Sequence, residues 1–437
     1  MKTVRFQSLI DEGLLQIGDG YRAKMEELTG TGYPFLRGDC LLDRDIRVDE
    51  SERFHESLTP KLTAKISRAG DTVVTTKGNS TGRAAYVREE LPTFVYSPHL
   101  SFWRSLDQEK LHPGFLCEWA HGPEFIGQLN GMKDSTDMAP YLSLTDQRRL
   151  EITIPLPDEQ RGVARVLGAL DDKIELNRRM NRTLEELAAA LFRSWFVDFD
   201  LVVAKAAGRQ SSNLRPELAA LFPAHWQDSE LSEIPKGWRV AKLSAVASVN
   251  SRKLPRNYPH AEIEYLDISS VSEGVINGTT RLARTSAPSR AQRLVVHGDT
   301  IWSCVRPNRR SFALIQDPPE NMVVSTGFAT LTPTCESAAF IYTATTTEDF
   351  TDYLTAHAEG SAYPAVRPDA FENAPLVIPP PDVLKEFEKI VAPWLAQVAH
   401  NVRESRTLAA LRDTLLPKLL SGELRVKPAE KLVEATA

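Results

Sequence analysis

The chain contains a long internal repeat, and this repeat limits the architectures that the sequence allows. Gly70-Asp71-Thr72 in the first half corresponds to Gly298-Asp299-Thr300 in the second half, at an offset of 228 residues. Further along the chain the offset becomes 224, and it relates Ile154-Pro155 to Ile378-Pro379. The repeat is far longer than the unit of a solenoid, which spans about 20 to 50 residues. The sequence therefore predicts two similar modules in one chain, related by an approximate two-fold symmetry.

Both copies of the repeat have the sequence pattern of an α+β globular module. Short runs of β-prone residues alternate with clusters of Gly, Ser and Asn, which are typical of turns. These runs are Thr72 to Thr76, Ala84 to Val87 and Thr93 to Tyr96 in the first copy, and Thr300 to Cys304, Ser311 to Ile315 and Met322 to Ser325 in the second. We assign one module to residues 1–155 and the other to residues 236–380, with residues 201–235 as a connector.

A long helix is predicted after each module, at residues 156–200 and 381–424. Pro157 and Pro381 suit the first helical turn, where the missing N–H of proline costs nothing. Apolar residues then recur at alternating spacings of four and three, which is the pattern of a coiled-coil seam. The seam residues are Val163, Leu167, Leu170, Ile174, Leu184, Ala188, Leu191 and Trp195 in the first helix, and Phe387, Val391, Trp394, Val398, Leu408, Leu411 and Leu415 in the second.

Two matched seams in one chain predict that the helices pack on each other. If a two-fold axis relates the modules, the helices run antiparallel, each about 60 Å long at roughly 1.5 Å per residue. The predicted fold is therefore α+β, with two pseudo-symmetric globular domains joined by two long antiparallel coiled-coil helices. The alternative is that each helix packs only on its own module.

Each seam also contains a polar residue near its middle, Asn177 in the first helix and Asn401 in the second. A polar residue in an apolar seam lowers stability but fixes the register of the helices. We predict this role for both asparagines, and the alternative is a solvated break without a partner. Residues 425–437 form a polar tail that we expect to be loosely ordered from Lys427 onward.

The composition is that of an ordinary globular protein with a net charge of −6. The sequence shows no apolar run long enough to cross a bilayer and no signal-peptide core in residues 1–15. Its four cysteines are far apart in the sequence, which argues against a disulfide framework or a metal cluster and favours a reducing compartment. We expect a soluble cytoplasmic protein. Its acidic charge indicates that much of the surface faces solvent or partner subunits rather than nucleic acid.

Sequence motifs of a self-sufficient active site are missing. The chain has neither a phosphate-binding Gly-x-x-x-x-Gly-Lys-Ser/Thr loop nor a Gly-x-Gly-x-x-Gly loop after a strand. Asp317-Pro318-Pro319-Glu320 resembles the Asn/Asp-Pro-Pro-aromatic motif of amino-methyltransferases, but Glu320 supplies no ring to stack on a flipped base. We therefore expect a chain that recognises rather than reacts and that binds no cofactor or metal itself.

Basic and amide side chains are concentrated in loops. One such loop follows the Gly-Asp strand in each module, and a third basic segment lies near the start of the second module. The candidate DNA-binding residues are Lys77, Asn79, Arg83, Arg252, Lys253, Arg256, Arg306, Asn308, Arg309 and Arg310. Arg, Lys and Asn reach phosphates and base edges, although any single one of them is as easily a solvated surface residue. Because the scaffold repeats while the loops differ, each module is predicted to read its own half of a DNA duplex.

The chain resembles the specificity (S) subunits of type I restriction-modification systems over essentially its whole length. The resemblance rests on segments in a fixed order, namely Ile154-Pro155-Leu156-Pro157 with Glu159-Gln160-Arg161, Phe196-Val197-Asp198-Phe199-Asp200, Ile234-Pro235-Lys236-Gly237-Trp238 and Leu415-Leu416-Pro417-Lys418-Leu419-Leu420-Ser421-Gly422. It implies two target-recognition domains that each read one half of an asymmetric bipartite site. The helices would form the spacer that sets the unread gap.

The resemblance also implies the partners of the chain. Two methyltransferase (M) subunits would dock on it, bind S-adenosylmethionine and methylate adenine, and motor-nuclease (R) subunits would use ATP and Mg²⁺ to translocate and cut double-stranded DNA. The chain itself would be non-catalytic. One alternative is an antiparallel-helix scaffold that tethers proteins without binding nucleic acid, which the negative net charge favours. A nuclease or methyltransferase in its own right is a third possibility, which the missing motifs disfavour.

Overall fold

A computed structural model describes residues 1–42, 44–48, 51–133, 140–209, 215–361 and 363–434. The chain forms two compact units. Unit 1 contains residues 1–177 and 404–437, and unit 2 contains residues 178–403. Each of two long helices therefore contributes one half to each unit.

The elements up to the end of the first long helix all precede residue 197. The strands are β1 (Lys2–Arg5), β2 (Leu15–Asp19), β3 (Phe35–Leu36), β4 (Thr72–Thr75), β5 (Ala84–Tyr86), β6 (Val95–Tyr96), β7 (Leu100–Ser105) and β8 (Glu151–Ile154). The helices are α1 (Phe6–Asp11), α2 (Thr59–Leu62), α3 (Pro113–Trp119), α4 (Pro123–Lys133), α5 (Leu144–Arg149) and the long α6 (Pro157–Phe196).

The remaining elements follow from residue 200 onward. The strands are β9 (Trp226–Gln227), β10 (Ile234–Pro235), β11 (Arg239–Lys242), β12 (Ala247–Val249), β13 (Glu262–Leu266), β14 (Val271–Ser272), β15 (Val275–Ile276), β16 (Thr280–Ala283), β17 (Ala291–Leu294), β18 (Thr300–Ser303), β19 (Phe312–Leu314), β20 (Met322–Ser325), β21 (Phe328–Pro333) and β22 (Pro375–Ile378). The helices are α7 (Asp200–Ala206), α8 (Pro216–Ala220), α9 (Ala338–Thr345), α10 (Glu348–Ala356), α11 (Pro368–Asn373), the long α12 (Pro381–Ser421) and α13 (Val426–Glu434).

The module of unit 1 is built on a four-stranded antiparallel sheet in the order β2-β7-β4-β5. All four residues of strand β4 are buried. Since successive side chains of a strand point to opposite sides, both faces of β4 are covered. Val74 packs with Trp103 in one hydrophobic cluster, while Val73 packs with Phe102 in another. The sheet is therefore the middle layer between two cores.

Unit 2 repeats this sheet in the order β12-β21-β18-β19. The register repeats as well, since Val73 faces Phe102 across the strands of unit 1 and Ile301 faces Thr330 at the same offset of 228 in unit 2. Trp302 and Ile301 divide between two clusters as Val74 and Val73 do. The sequence repeat is thus a structural repeat. Unit 2 additionally has a second four-stranded sheet, β16-β13-β20-β17, and the described residues of unit 1 form the shorter pair β3-β6.

The long helices pack on each other in antiparallel fashion in unit 1. Leu167, Leu170 and Ile174 of α6 share a core with Leu408 and Leu415 of α12. Along this pair, residues with higher numbers in α6 contact residues with lower numbers in α12. The Asp171 carboxylate lies 2.6 Å from Arg412, and the Asn177 amide donates to Glu404 at 2.6 Å and to Ser405 at 3.3 Å.

The same antiparallel packing occurs between the halves of α6 and α12 in unit 2. Asn401 donates to Asn181 at 2.7 Å, and the ring of Phe196 lies 5.0 Å from that of Phe387. The predicted antiparallel coiled-coil pair is therefore confirmed. Phe196 also contacts Trp238 and Phe340 of the module, at 5.9 and 5.1 Å between ring centroids. The alternative that each helix packs only on its own module is wrong, because each makes both kinds of contact.

Asn177 and Asn401 lie inside the helical seam, with 0% and 1% of their surfaces exposed. The alternative of a solvated break is wrong for both. Their partners also follow the repeat. At the offset of 224, Asn177 corresponds to Asn401, and its partner Ser405 corresponds to Asn181, the partner of Asn401. A slip in register would separate each amide from its partner in a buried position, which is the physical basis for a register function. That function itself stays a prediction.

The connector and the polar tail are more ordered than their composition suggests. Val202, Leu218 and Phe222 of the connector are buried in the main core of unit 2. The expectation of loose order in the tail is wrong over Val426–Glu434, which forms α13 and buries Ala429 in the core of unit 1. Residues 210–214 of the connector and 435–437 of the tail lie outside the described residues.

No helix in the described ranges combines the length and the apolar character that a membrane span requires.

Candidate nucleic-acid interface

The basic segment of the first module is the hairpin loop between β4 and β5, residues 76–83, which we name loop 1. Two backbone hydrogen bonds fasten it to a later segment of the chain. The Gly78 N–H donates to the Pro140 carbonyl at 3.2 Å, and the Leu142 N–H donates to the Thr76 carbonyl at 2.9 Å. The Thr81 hydroxyl also donates to Pro140, at 3.0 Å. These bonds give loop 1 a defined conformation without using its exposed side chains.

The three candidate residues of loop 1 differ in whether their side chains are hydrogen-bonded within the protein. Lys77 and Asn79 are exposed, and the Lys77 ammonium lies 5.0 Å from the centre of the Tyr141 ring. Arg83 is exposed as a residue, yet its Nη1 donates to the Leu41 carbonyl at 2.9 Å. Lys77 and Asn79 are therefore the side chains of this loop best placed to contact a ligand in solvent.

The corresponding segment of the second module is the loop between β18 and β19, residues 304–311, which we name loop 2. It is fastened in the same way as loop 1. The Arg306 N–H donates to the Pro364 carbonyl, and the Val366 N–H donates to the Cys304 carbonyl, both at 2.7 Å. Each of these residues corresponds to its counterpart in loop 1 by the offsets of the repeat. The prediction that the basic loops occupy corresponding positions in the two modules is confirmed.

Loop 2 presents a different set of side chains from loop 1. Asn308 and Arg309 are exposed. Arg306 has a left-handed backbone conformation with φ of 50°, and its guanidinium lies 4.8 Å from the centre of the Tyr363 ring. A positive φ is unfavourable for a residue with a Cβ, so the surrounding hydrogen bonds must hold it there. Arg306, Asn308 and Arg309 thus stand on a rigid turn.

The Arg310 guanidinium is held by several contacts within unit 2. It donates to Glu273 at 2.6 Å, to the Thr351 hydroxyl at 2.8 Å and to the Thr346 carbonyl at 2.8 Å. It also lies 5.3 Å from the centre of the Phe312 ring. Because these contacts occupy its donors, we leave Arg310 out of the proposed DNA contacts.

The third basic segment lies at the other end of β18 from loop 2. Arg252 donates to the Thr332 hydroxyl at 3.0 Å and lies 3.7 Å from Asp299, the residue that precedes β18. Lys253 and Arg256 are exposed beside it. The structure therefore separates the two basic segments of this module by the length of a strand, and it does not bring them together into one patch.

The Gly-Asp-Thr repeat places a buried aspartate before the same strand in each module. The Asp71 carboxylate accepts two hydrogen bonds from Arg104, both at 2.6 Å, one from the Tyr96 hydroxyl at 2.6 Å and one from the Arg68 N–H at 2.9 Å. Burial beside this carboxylate raises the pKa of Tyr96 well above its usual value. The aspartate of module one is therefore held in a complete ion-pair network.

Asp299 is equally buried but has weaker partners. It accepts one hydrogen bond from the Val296 N–H at 2.9 Å, while Arg252 lies beyond hydrogen-bond distance at 3.7 Å. Burial is the main cause that raises the pKa of Asp299 above its usual value. The same sequence motif thus has two different electrostatic environments.

Two exposed tyrosines that the sequence did not single out belong to these loops. Tyr141 lies against loop 1 and Tyr363 against loop 2, with 54% and 72% of their surfaces exposed. An exposed aromatic ring beside a cation is a typical surface for stacking on bases. The sequence did contain a signal for these tyrosines, because they are adjacent to Pro140 and Pro364, which the repeat relates to each other.

Two curated relatives are similar to most of the chain. The type I restriction enzyme MjaIX specificity subunit from Methanocaldococcus jannaschii is 25% identical over 426 residues, covering 95% of this chain and 92% of the relative. The type I restriction enzyme HindI specificity subunit from Haemophilus influenzae is 24% identical over 412 residues, covering 84% of this chain and 89% of the relative. The resemblance to type I specificity subunits is confirmed.

One solved structure supports the fold. The S subunit of a type I restriction-modification system from M. genitalium has a TM-score of 0.56 at 16% identity, and the match covers 96% of this chain and 95% of that one. At this identity the likeness establishes a shared fold. A scan against protein-family models finds no match.

Proposed function

We propose that this chain is the non-catalytic DNA-specificity subunit of a type I restriction-modification complex. It binds an asymmetric bipartite site on double-stranded DNA, and each module reads one half of that site. The observation that carries the proposal is the pair of equivalent hairpin loops, which have the same backbone attachment but different exposed side chains. The similarity to named specificity subunits supports it.

The chemistry of the loops suits recognition in a groove. Loop 2 offers Arg309 and Asn308, and these side-chain types make bidentate contacts with guanine and adenine, respectively. Loop 1 offers Asn79 and Lys77, a different set that suits a different short sequence. Because the loops share a scaffold, a change of loop sequence alters the target without altering the fold.

The paired helices supply the rest of the proposed role. Their fixed register sets the distance between the half-sites, and their outer faces dock two methyltransferase subunits and, through them, the motor-nuclease subunits. The methyltransferase subunits bring S-adenosylmethionine, and the motor-nuclease subunits use ATP and Mg²⁺. The chain itself contributes binding and positioning.

Selection from random duplexes, followed by titration of the selected site, tests this proposal. Arg309→Ala is expected to relax discrimination at one half-site only, by about 1–3 kcal/mol per contacted base pair. Arg239→Ala, an exposed arginine on β11, is the matched control and should leave discrimination unchanged. An equal loss of discrimination in both half-sites would contradict the assignment of one module to each half.

A second candidate is an antiparallel-helix scaffold that tethers proteins and binds no nucleic acid. The net charge of −6 favours it, because most nucleic-acid binders carry excess positive charge. A gel shift on random duplex, with and without the methyltransferase subunit, separates the two candidates. Failure to shift DNA under either condition would favour the scaffold.

A further inference from the structure

Unit 2 contains an acidic cleft of about 590 Å³ that the recognition loops do not use. One wall is the end of α6 from Glu185 onward together with Val197, which follows the helix, and the other is formed by α9, the start of α10 and the turn between β14 and β15. The floor is apolar and includes Phe192 and Phe312. We call this site the acidic cleft.

The cleft has an excess of carboxylates. Glu185 and Glu186 on α6 and Glu348 and Asp349 on α10 make no ion pair with any residue in the described part of the chain. The two arginines at its edge form ion pairs with other carboxylates, since Arg310 binds Glu273 and Arg193 binds Asp198. The uncompensated charge of the cleft is therefore negative, and it would repel the phosphates of DNA.

The hydroxyl of a largely buried tyrosine also faces this space. Tyr342 is only 8% exposed, yet its hydroxyl has no hydrogen-bond partner among the described residues. A Cβ built on Gly274 would lie 3.4 Å from both the Tyr342 hydroxyl and a carboxylate oxygen of Glu185. Two oxygen atoms thus converge on the gap that Gly274 leaves. A cationic donor placed in this gap would reach both oxygen atoms.

Unit 1 has a cleft at the corresponding place, of about 670 Å³, with a different charge. Its wall on α12 contains Arg412 and Leu416, which the repeat relates to Ala188 and Phe192 of the acidic cleft. The counterparts of Glu185 and Glu186 are alanines at 409 and 410. The repeat therefore builds the cleft twice, but only unit 2 makes it acidic. The acidity belongs to this site and is not a requirement of the scaffold.

We propose that the acidic cleft binds an arginine or lysine side chain of a protein partner, presented next to an apolar residue. The carboxylates and the Tyr342 hydroxyl bind the cationic head, while Phe192 and the half-exposed Val197 pack against the apolar neighbour. The inference rests on the proposed function in that the partner is the methyltransferase subunit of the same complex. Because unit 1 lacks the acidic pair, the two docked copies bind unequally.

The test is calorimetric titration of the full chain with the methyltransferase subunit of its complex, at two salt concentrations. The double variant Glu185→Gln with Glu186→Gln should weaken one of the two binding events at least tenfold and reduce its salt dependence. Tyr342→Phe should weaken the same event severalfold. Glu372→Gln, an exposed carboxylate of α11, is the control and should change neither event.

The outcomes separate this inference from the proposed function. Unchanged affinity and salt dependence in the double variant, with both subunits still binding, overturn the inference and leave the proposed function intact. A change in DNA affinity of the isolated variant, with subunit binding unchanged, also overturns it. Failure of the wild-type chain to bind the subunit at all overturns the proposed function and this inference with it.

Discussion

The two aspartates of the Gly-Asp-Thr repeat are expected to respond very differently to the same substitution. Asp71→Asn removes the negative charge from a network in which Arg104 is itself only 7% exposed. The asparagine amide keeps one acceptor but places an N–H group against donors, either those of Arg104 or the N–H of Arg68 and the Tyr96 hydroxyl. A buried guanidinium is thereby left without a counter-ion.

The magnitude follows from the burial of both partners. Removing one partner of a buried ion pair costs about 3–5 kcal/mol, because the remaining charge is desolvated and uncompensated. We therefore expect Asp71→Asn to lower the free energy of unfolding of unit 1 by this amount. That loss is a large fraction of the typical stability of a domain, which is about 5–15 kcal/mol.

Asp299→Asn is the matched comparison in unit 2. Arg252 lies 3.7 Å from Asp299 and its side chain is 40% exposed, so solvent replaces the lost partner. The hydrogen bond from Val296 survives on the amide oxygen, and the cost of burying a charge disappears. The expected change in the free energy of unfolding is no more than about 1 kcal/mol.

Urea unfolding followed by hydrogen–deuterium exchange of peptides from β4 and β18 measures the two units separately. Asp71→Asn should lose protection in β4 at a lower urea concentration than the wild type, while Asp299→Asn should leave β18 nearly unchanged. Equal shifts in both strands, or a shift of β18 larger than that of β4, would refute the reasoning from burial and pairing.

Three further predictions concern the helices and their attachment to the modules. Burial raises the pKa of Glu118 from 4.5 to about 7, so the native state keeps a proton that the unfolded chain releases between these pH values and stability falls as pH rises. Urea titrations at pH 4 and pH 8 should show that the wild type loses more stability with rising pH than Glu118→Gln does, and parallel pH curves would contradict this. Phe196→Ala should lower the unfolding free energy of unit 2 by about 3–5 kcal/mol, measured by exchange in β18, because its ring packs against five aromatic neighbours. Asn177→Ala should cost about 1–3 kcal/mol in thermal unfolding, because its buried amide donates to Glu404 and Ser405; an unchanged melting temperature would contradict this.

Local rules in the sequence were sufficient for the elements with strong periodicity. The helices begin at Pro157 and Pro381, as expected from the preference of proline for the first turn. The internal repeat predicted two similar modules, and the strands after Asp71 and Asp299 have the same register. The prediction of a loosely ordered tail was wrong because it rested on polar composition alone. The apolar residues of α13 recur with a helical period and form one face, which packs in the core of unit 1.

The sequence by itself determined the repeat, the paired helices and the places where basic loops occur, because these depend on residues close together in the chain. Only the tertiary structure decided what each charged residue does. Arg309 and Arg310 are adjacent and chemically identical, yet Glu273, Thr346 and Thr351 bind Arg310 and leave Arg309 exposed. Burial and partners come from residues distant in sequence, so no local pattern separates a structural arginine from one that is available to a ligand.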